Sequence, residues 1–139
     1  MYLLDSDIVA ALRRPRPDPT VVAWLKGIPE AEVYISALTI GELEAGIELA
    51  RERNEAEAER LTRWLDKLAA SRNVLPMDHD AFWLWAKLRH RHPARGFEEA
   101  MIAATALLHD LTLVTGQPGD FEAFDVPLLN PFEDAPIEE

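Results

Sequence analysis

The sequence predicts an α/β fold in which a central parallel sheet of about five short strands lies between layers of helices. Short β-branched apolar segments alternate with helical segments along the whole chain, and most of these apolar segments stop at a polar residue or a turn. Strands that alternate with helices pair in parallel through right-handed crossovers. The chain has 139 residues, of which 48% are hydrophobic, so it is long enough for one core and too short for two. We expect a single domain.

The predicted elements follow from apolar periodicity and from cap residues. Ser36 and Thr39 are both candidate caps for the same helix, 37–53. The predicted strands are Tyr2–Leu4, Val33–Ile35, Val74–Pro76, Leu111–Thr115 and Val126–Leu129, and Phe121–Phe124 is a short turn or helix. The other predicted helices are one capped by Ser6 or Asp7 and running through Leu12, 20–26, 55–71, one containing Phe82 to Leu88, and a central one through Leu108.

The central helix organises the rest of the chain. From Ala100 to Leu108 it is apolar except for one threonine, so we expect it to be buried on nearly all sides. The helix before it carries more aromatic surface, around Trp83 and Trp85, than one buried face can hide. Part of that surface is therefore a candidate subunit interface, although a packed core explains it equally well.

Composition narrows the range of functions. The chain has no cysteine, which excludes disulfides and thiolate metal sites. The longest apolar run is about half of the ~20 residues that a membrane-spanning helix needs, and the N-terminus carries Asp5 and Asp7 instead of basic residues. We therefore expect a soluble, cytoplasmic protein without a membrane partner. The tail, residues 134–139, is acidic and predicted to be disordered.

The net charge of −11 argues against broad, sequence-independent binding of nucleic acid, but it does not exclude a local site. Basic residues occur in two clusters, which are candidate RNA-binding positions or simply solvated loops. The first contains Arg13, Arg14 and Arg16; the second contains Arg89, Arg91 and Arg95, with Lys87, His90 and His92 among them.

Carboxylates stand at the ends of the predicted elements: Asp5 after the first strand, Glu42 after the second, Glu98 or Glu99 at the start of the central helix, and Asp120 after the strand ending at Thr115. If the strands are parallel neighbours, these side chains converge at one edge of the sheet. Clustered carboxylates repel one another and need protons or a cation, and an all-oxygen site suits Mg²⁺ or Mn²⁺.

Each acid also has a simpler explanation. Thr39 to Glu42 fits a capping box, in which Glu42 would only satisfy a helix-terminal amide. Glu98 and Glu99 complement a helix dipole. Asp120 is a plausible turn residue and Asp5 a plausible cap. The four together favour a shared site.

Four segments of residues 1–133 together resemble a PIN-domain ribonuclease of the VapC toxin type. They are MYLLDSDIVAALRRPRPDP, ISALTIGELEAGIE, EEAMIAATALLHDLTLVT and GDFEAFDVPLLNPFE. The resemblance implies an α/β/α sandwich and endonucleolytic cleavage of RNA that depends on Mg²⁺ or Mn²⁺. It also implies a small antitoxin that covers the acidic pocket, and with the aromatic helix it suggests a homodimer. The implied catalytic and metal-binding residues are Asp5, Glu42, Glu99 and Asp120, with Ser6, Asp7, Glu98 and Gln117 in support.

The chain departs from the family pattern at three places. Glu99 stands where an aspartate is usual and reaches about 1.5 Å further. Its neighbour Glu98 is expected to point elsewhere, because it lies about 100° around the helix. Asp7 replaces a common asparagine, and Gly116-Gln117 replaces an arginine or other polar residue followed by asparagine.

Two rival functions remain open on the sequence. The segment from Leu3 to Val9 also matches the nucleophile motif of haloacid-dehalogenase-like phosphatases, but no lysine lies between Thr115 and Asp125 to stabilise a phospho-aspartate. The other rival is a non-catalytic PIN-like binding protein, in which the substitutions at Glu99 and Gln117 mark lost activity.

Overall fold

The computed structural model describes residues 1–133 and contains a five-stranded, all-parallel sheet in the order β3-β2-β1-β4-β5. The predicted α/β fold is confirmed, while the tail predicted to be disordered lies outside the described residues. The strands are β1 Tyr2–Leu4, β2 Val33–Ser36, β3 Asn73–Leu75, β4 Thr112–Val114 and β5 Leu128–Leu129. The helices are α1 Ser6–Leu12, α2 Pro19–Lys26, α3 Ala37–Arg51, α4 Glu55–Ser71, α5 His79–Arg91 and α6 Phe97–Leu108.

Helices cover both faces of the sheet, because successive side chains of a strand point to opposite faces. Leu4 belongs to one buried cluster, which it shares with residues of α1 to α4. Leu3, its neighbour in β1, belongs to a second cluster with residues of α5 and α6. The central helix α6 is buried over most of its length, as predicted, and its Ala103 and Ala104 are fully inaccessible. The architecture is therefore an α/β/α sandwich.

The strand order creates a crevice beside β1. The chain first adds β2 and β3 on one side of β1, then returns to add β4 and β5 on the other. Leu4, the last residue of β1, pairs with Ile35 of β2 and with Val114 of β4, so these strands end at one edge. Ligands of open α/β sheets bind outside the carboxyl ends of the strands at such a reversal of order.

The capping box predicted from Thr39 to Glu42 is wrong. The cap of α3 is Ser36, whose hydroxyl accepts a hydrogen bond from the backbone N–H of Leu38 at 3.1 Å, as the alternative prediction had it. Strand β2 runs directly into α3 without a loop, so the helix begins at Ala37 and Thr39 is already buried inside it. Glu42 therefore lies beyond the first turn and is not needed to cap it.

The smaller differences concern short elements. Strand β5 is shorter than predicted, and the predicted turn or helix Phe121–Phe124 is the 3₁₀ helix Glu122–Phe124, which another 3₁₀ helix, Pro118–Asp120, precedes. A third, Glu30–Glu32, was not predicted. The aromatic helix α5 does expose side chains, since 43% of Phe82 and 57% of Trp83 are accessible. Among residues 1–133, no helix combines the length and the apolar character needed to span a bilayer.

Candidate active site

A cavity of about 200 Å³ lies at the carboxyl edge of the sheet. Its wall is formed by the residues that follow β1 and β4 and by the first parts of α3 and α6. All eight acidic and supporting residues predicted from the sequence contribute to it. The lining consists of Asp5, Ser6, Asp7, Glu42, Glu98, Glu99, Ile102, Gln117, Asp120 and Phe121.

Asp5 is held rigidly at the base of this cavity. Its backbone N–H donates to the carbonyl of Val114 at 2.9 Å, which extends the pairing of β1 with β4 by one residue. Its Oδ1 accepts from the backbone N–H of Ser6 at 2.8 Å, and its Oδ2 accepts from the hydroxyl of Thr115 at 2.9 Å. Burial raises the pKa of Asp5 to about 6, and repulsion from Asp7 adds to the rise.

Asp7 ties the first helix to the loop after β4. Its Oδ2 accepts the backbone N–H of Gly116 at 2.9 Å. A side chain at Gly116 would begin 2.9 Å from this oxygen and 2.9 Å from the ring of Phe132, so glycine fits this contact without displacement. The other oxygen of Asp7, Oδ1, is buried and receives no hydrogen bond within residues 1–133. Burial raises the pKa of Asp7 as well.

Glu42, Glu98 and Glu99 come from helices on opposite faces of the sheet that meet at this edge. Burial raises the pKa of Glu42, followed by repulsion from Glu98 and then from Glu99. The expectation that Glu98 points elsewhere is wrong: it lines the cavity together with Glu99. Both residues lie in the first turn of α6, where the side chains are not yet confined by a preceding turn.

The loop that carries Gln117 and Asp120 is fixed by Thr115. The Thr115 hydroxyl donates to Asp5 and accepts the backbone N–H of Gln117 at 3.0 Å. One fully buried hydroxyl thus sets the position of the loop relative to Asp5. Thr115 was not predicted to belong to this site. The signal that reveals it is the register, since Leu4 pairs with Val114 and the next residues of the two strands are therefore neighbours.

Gly96 makes room for Glu99. It is the N-cap of α6, and a Cβ placed on it would overlap the Glu99 carboxylate, most severely at Oε1. The carboxylate therefore folds back over the cap residue. With a φ of −69°, the backbone of Gly96 suits any residue, so only the side-chain space requires glycine.

This contact predicts the result of Gly96→Ala. The added methyl group must displace the Glu99 carboxylate, because the flexible side chain yields more easily than the helix backbone. Ala is a poorer cap than Gly, so we expect the free energy of unfolding to fall by no more than about 1 kcal/mol. Any activity that depends on the position of Glu99 should fall much further. Urea unfolding and an activity assay on the same preparation measure the two effects, and equal activity in both proteins would show that Glu99 does not need this position.

The donor chemistry of the cavity suits a hard divalent cation. The acidic side chains of the lining offer only oxygen ligands, and one of these residues, Asp7, has a buried Oδ1 that receives no hydrogen bond within residues 1–133. Within residues 1–133, no three acidic or histidine side chains already converge as a finished coordination shell. Asp5 is fixed, whereas Glu42 and Asp120 have exposed side chains that are free to change rotamer. The residues fit a cation that draws these side chains together.

The raised pKa of Asp5 predicts how the metal-free protein responds to pH. The folded pKa of about 6 exceeds the ordinary value of 3.8, so the folded state holds this proton more tightly than the unfolded state. The resulting stability is complete below pH 3.8 and is lost as the pH rises through 6. A shift of about two pH units corresponds to about 3 kcal/mol.

Thermal melting in the presence of a chelator measures this effect. Between pH 4 and pH 6, wild type should lose more stability than Asp5→Asn, which has no proton to release at this position. Parallel melting curves for the two proteins over this range would show that Asp5 titrates normally.

The family model of the PIN domain matches residues 2–125. The chain belongs to the PIN-domain family. Its cavity lies at the strand reversal of this PIN domain and contains the acids that the resemblance to VapC toxins implies. This family match decides against the haloacid-dehalogenase-like phosphatase.

Two relatives place this PIN domain among VapC-type toxins. Toxin FitB of Neisseria gonorrhoeae is 37% identical, and the alignment covers 96% of this chain and all of that protein. VapC ribonuclease Y4jK of Sinorhizobium fredii is 32% identical, with 97% of this chain and all of that protein covered. The crystal structure of FitAcB from N. gonorrhoeae superimposes with a TM-score of 0.84 at 35% identity, over 96% of this chain and 99% of that one. Another similar structure is a toxin-antitoxin complex from Klebsiella pneumoniae.

Neither basic cluster lines the cavity. Arg13, Arg14 and Arg16 lie beyond the C-terminal end of α1, about 10 Å along the helix from Asp5. The pKa of Glu57 on α4 is lowered by a hydrogen bond from Arg60 and, to a smaller extent, by Arg13, so Arg13 already faces an acid. The second cluster lies nearer to the cavity along the chain, because only residues 92–96 separate α5 from α6, whose first turn carries Glu98 and Glu99. Arg89, Arg91 and Arg95 are therefore the stronger RNA-binding candidates.

Proposed function

We propose that this PIN-domain protein is the toxin of a toxin-antitoxin pair and an endoribonuclease that hydrolyses RNA phosphodiester bonds with Mg²⁺ or Mn²⁺. PIN-domain ribonucleases generally need divalent metal ions, and relatives of this chain are named ribonucleases. We also propose that the protein acts in the cytoplasm.

One observation carries the proposal. Carboxylates from four separate segments, Asp5 after β1, Glu42 in α3, Glu99 in α6 and Asp120 after β4, line one small cavity at the strand reversal. Bringing like charges together costs a fold stability. The pKa values of Asp5 and Glu42 are raised in this cavity, which shows that their charged forms are disfavoured there. An arrangement that destabilises the protein and yet involves four segments is typical of a functional site.

In this proposal Asp5, Glu42, Glu99 and Asp120 hold the cation. When bound, such an ion would supply a more acidic water molecule and charge stabilisation at the phosphate, so no histidine base would be required. Asp5 supplies a carboxylate of fixed orientation, because Ser6 and Thr115 each occupy one of its oxygens with a hydrogen bond. Asp7, through Gly116, and Thr115, through Gln117, keep the loop that bears Asp120 against the end of β1.

We further propose a small cognate antitoxin that covers the acidic cavity and neutralises the toxin. The structural relatives include complexes of toxins with antitoxins, which supports a partner of this kind. A homodimer remains part of the proposal, and light scattering that shows a strict monomer at micromolar concentration would count against it.

The experiment that tests the function is RNA cleavage by the purified chain. We expect cleavage of single-stranded RNA with Mn²⁺ or Mg²⁺, none with a chelator, and recovery when the metal is restored. The purified antitoxin should abolish it. RNA that stays intact under all metal conditions, while the protein still binds it, would favour the alternative of a non-catalytic PIN-like binding protein.

A further inference from the structure

A row of aromatic side chains begins beside the acidic cavity. Phe97 is the first residue of α6 and directly precedes Glu98 and Glu99. Its ring centroid lies 6.0 Å from that of Trp85 on α5, which in turn lies 5.8 Å from that of Phe82. We call Phe82, Trp85 and Phe97, together with Arg89, the aromatic platform.

The platform is held in place but left open. The indole N–H of Trp85 donates to the carbonyl of Phe97 at 3.2 Å, which joins α5 to the start of α6. The guanidinium of Arg89 lies 4.1 Å from the centre of the Phe97 ring and also donates to the carbonyl of Arg95. Nevertheless 55% of Phe97 and 43% of Phe82 are accessible to solvent. Exposed aromatic rings forgo the free energy of burial, and a ligand that covers them next to the two acids that follow Phe97 in the chain would recover it.

We propose that the aromatic platform binds unpaired bases of the RNA substrate and so directs the enzyme to single-stranded RNA; the inference rests on the proposed function. Aromatic rings and guanidinium planes are the surfaces on which unpaired bases stack. Bases inside a duplex are already stacked on their neighbours and have no free face to offer. Since Phe97 adjoins Glu98, a base on the platform holds the neighbouring phosphate near the acids.

Charge favours a polyanion over a second copy of the chain as the occupant. The last turn of α5 carries Arg89, His90 and Arg91, and Arg95 follows in the loop to α6. In a twofold dimer through this surface, the same cluster of cations would lie on both sides of the interface and repel its counterpart. RNA phosphates would neutralise these cations instead. Because the net charge of −11 repels nucleic acid overall, a local cluster of cations is the kind of surface on which this chain could hold RNA.

The test compares Phe97→Leu with Phe97→Tyr. Leucine keeps an apolar contact with Trp85 but removes the aromatic face, whereas tyrosine keeps both. The probe is a short, labelled, non-self-complementary RNA, and its dissociation constant is measured by anisotropy in a chelator, so that no cleavage occurs. Phe97→Leu should weaken binding by about 5- to 100-fold, while Phe97→Tyr stays within about threefold of wild type.

Three controls isolate stacking. Leu49→Ala removes an equally exposed apolar side chain on α3 and should leave RNA binding unchanged. An RNA duplex should bind wild type and Phe97→Leu alike. An oligonucleotide of abasic residues should also bind both alike, because it has phosphates but no bases. Melting temperatures within a few degrees of wild type show that the variants are folded.

Several outcomes would overturn the platform. If wild type cleaves RNA and Phe97→Leu binds single strands as tightly as wild type, the platform is wrong and the proposed function stands. If, in addition, wild type is a dimer and Phe97→Leu a monomer, the surface is a subunit interface. If wild type neither binds nor cleaves RNA, the proposed function fails and the platform fails with it.

Discussion

Asp5→Asn is expected to lower RNA cleavage by about 10³-fold while the protein stays folded. Asparagine keeps the shape of the side chain but has one acceptor oxygen, which can serve the Ser6 N–H or the Thr115 hydroxyl but not both, and it removes the charge that would balance a divalent cation. The stabilisation that a metal ion gives to a transition state amounts to several kcal/mol, which corresponds to about three orders of magnitude in rate. Loss of the charge should also relieve burial of a carboxylate and repulsion from Asp7 at neutral pH, which offsets the lost hydrogen bond, so the metal-free variant should melt close to wild type.

Asp110→Asn is the matched control for this change. Asp110 is exposed, lies outside the cavity lining and has a φ of 56°, a conformation that asparagine tolerates as well as aspartate. Its cleavage rate should equal that of wild type. If Asp5→Asn keeps more than about a tenth of the wild-type rate at saturating metal, Asp5 is not a ligand and serves only to cap α1.

Glu99→Gln is expected to lower cleavage by at least about 10²-fold, and Glu98→Gln by less. Both side chains line the cavity and both raise the pKa of Glu42, so geometry alone does not rank them. Glu99 has the additional contact over Gly96, which holds its carboxylate close to the helix start. A misplacement of about 1 Å can reduce the rate of a reaction by 10²-fold, so the rate should be sensitive to any change in the position or charge of Glu99.

Glu99→Asp separates length from charge. If glutamate is a tolerated distortion of an aspartate site, the shorter side chain should raise the rate with Mg²⁺ more than the rate with Mn²⁺. Mg²⁺ demands near-ideal octahedral geometry, whereas Mn²⁺ is more forgiving, so wild type should prefer Mn²⁺. The reverse ranking, in which Glu98→Gln inactivates the enzyme and Glu99→Gln does not, would show that Glu98 and not Glu99 is the catalytic acid of α6.

The fold was predictable because its determinants are local. The pair Leu3 and Leu4 shows this: both are buried, on opposite faces, as an interior strand requires. The ends of β1 and β2 were likewise marked by the polar residues Asp5 and Ser36, which placed Asp5 and Glu42 at the same edge of the sheet. The error at Thr39 arose because the transition from β2 to α3 has no loop, and a continuous segment does not reveal where strand geometry ends.

The details of the site depended on contacts between distant segments. Thr115 acts on Asp5 across 110 residues of sequence, and only the strand register makes them neighbours. Glu98 was misjudged from its angle on an ideal helix, whereas side chains in a first turn are less confined. Gly96 matters through the space it leaves for Glu99, which composition and spacing do not encode.

We propose above all that carboxylates from separate segments share one divalent cation. The most direct test is the melting temperature of the protein without RNA, measured with increasing Mn²⁺ at neutral pH. A ligand that binds only the folded state stabilises it, by about 2.7 kcal/mol at a hundred times its dissociation constant. We predict a saturable rise for wild type and for Asp110→Asn, and none for the double variant Asp5→Asn with Asp120→Asn. An equal rise in wild type and the double variant would contradict the shared site.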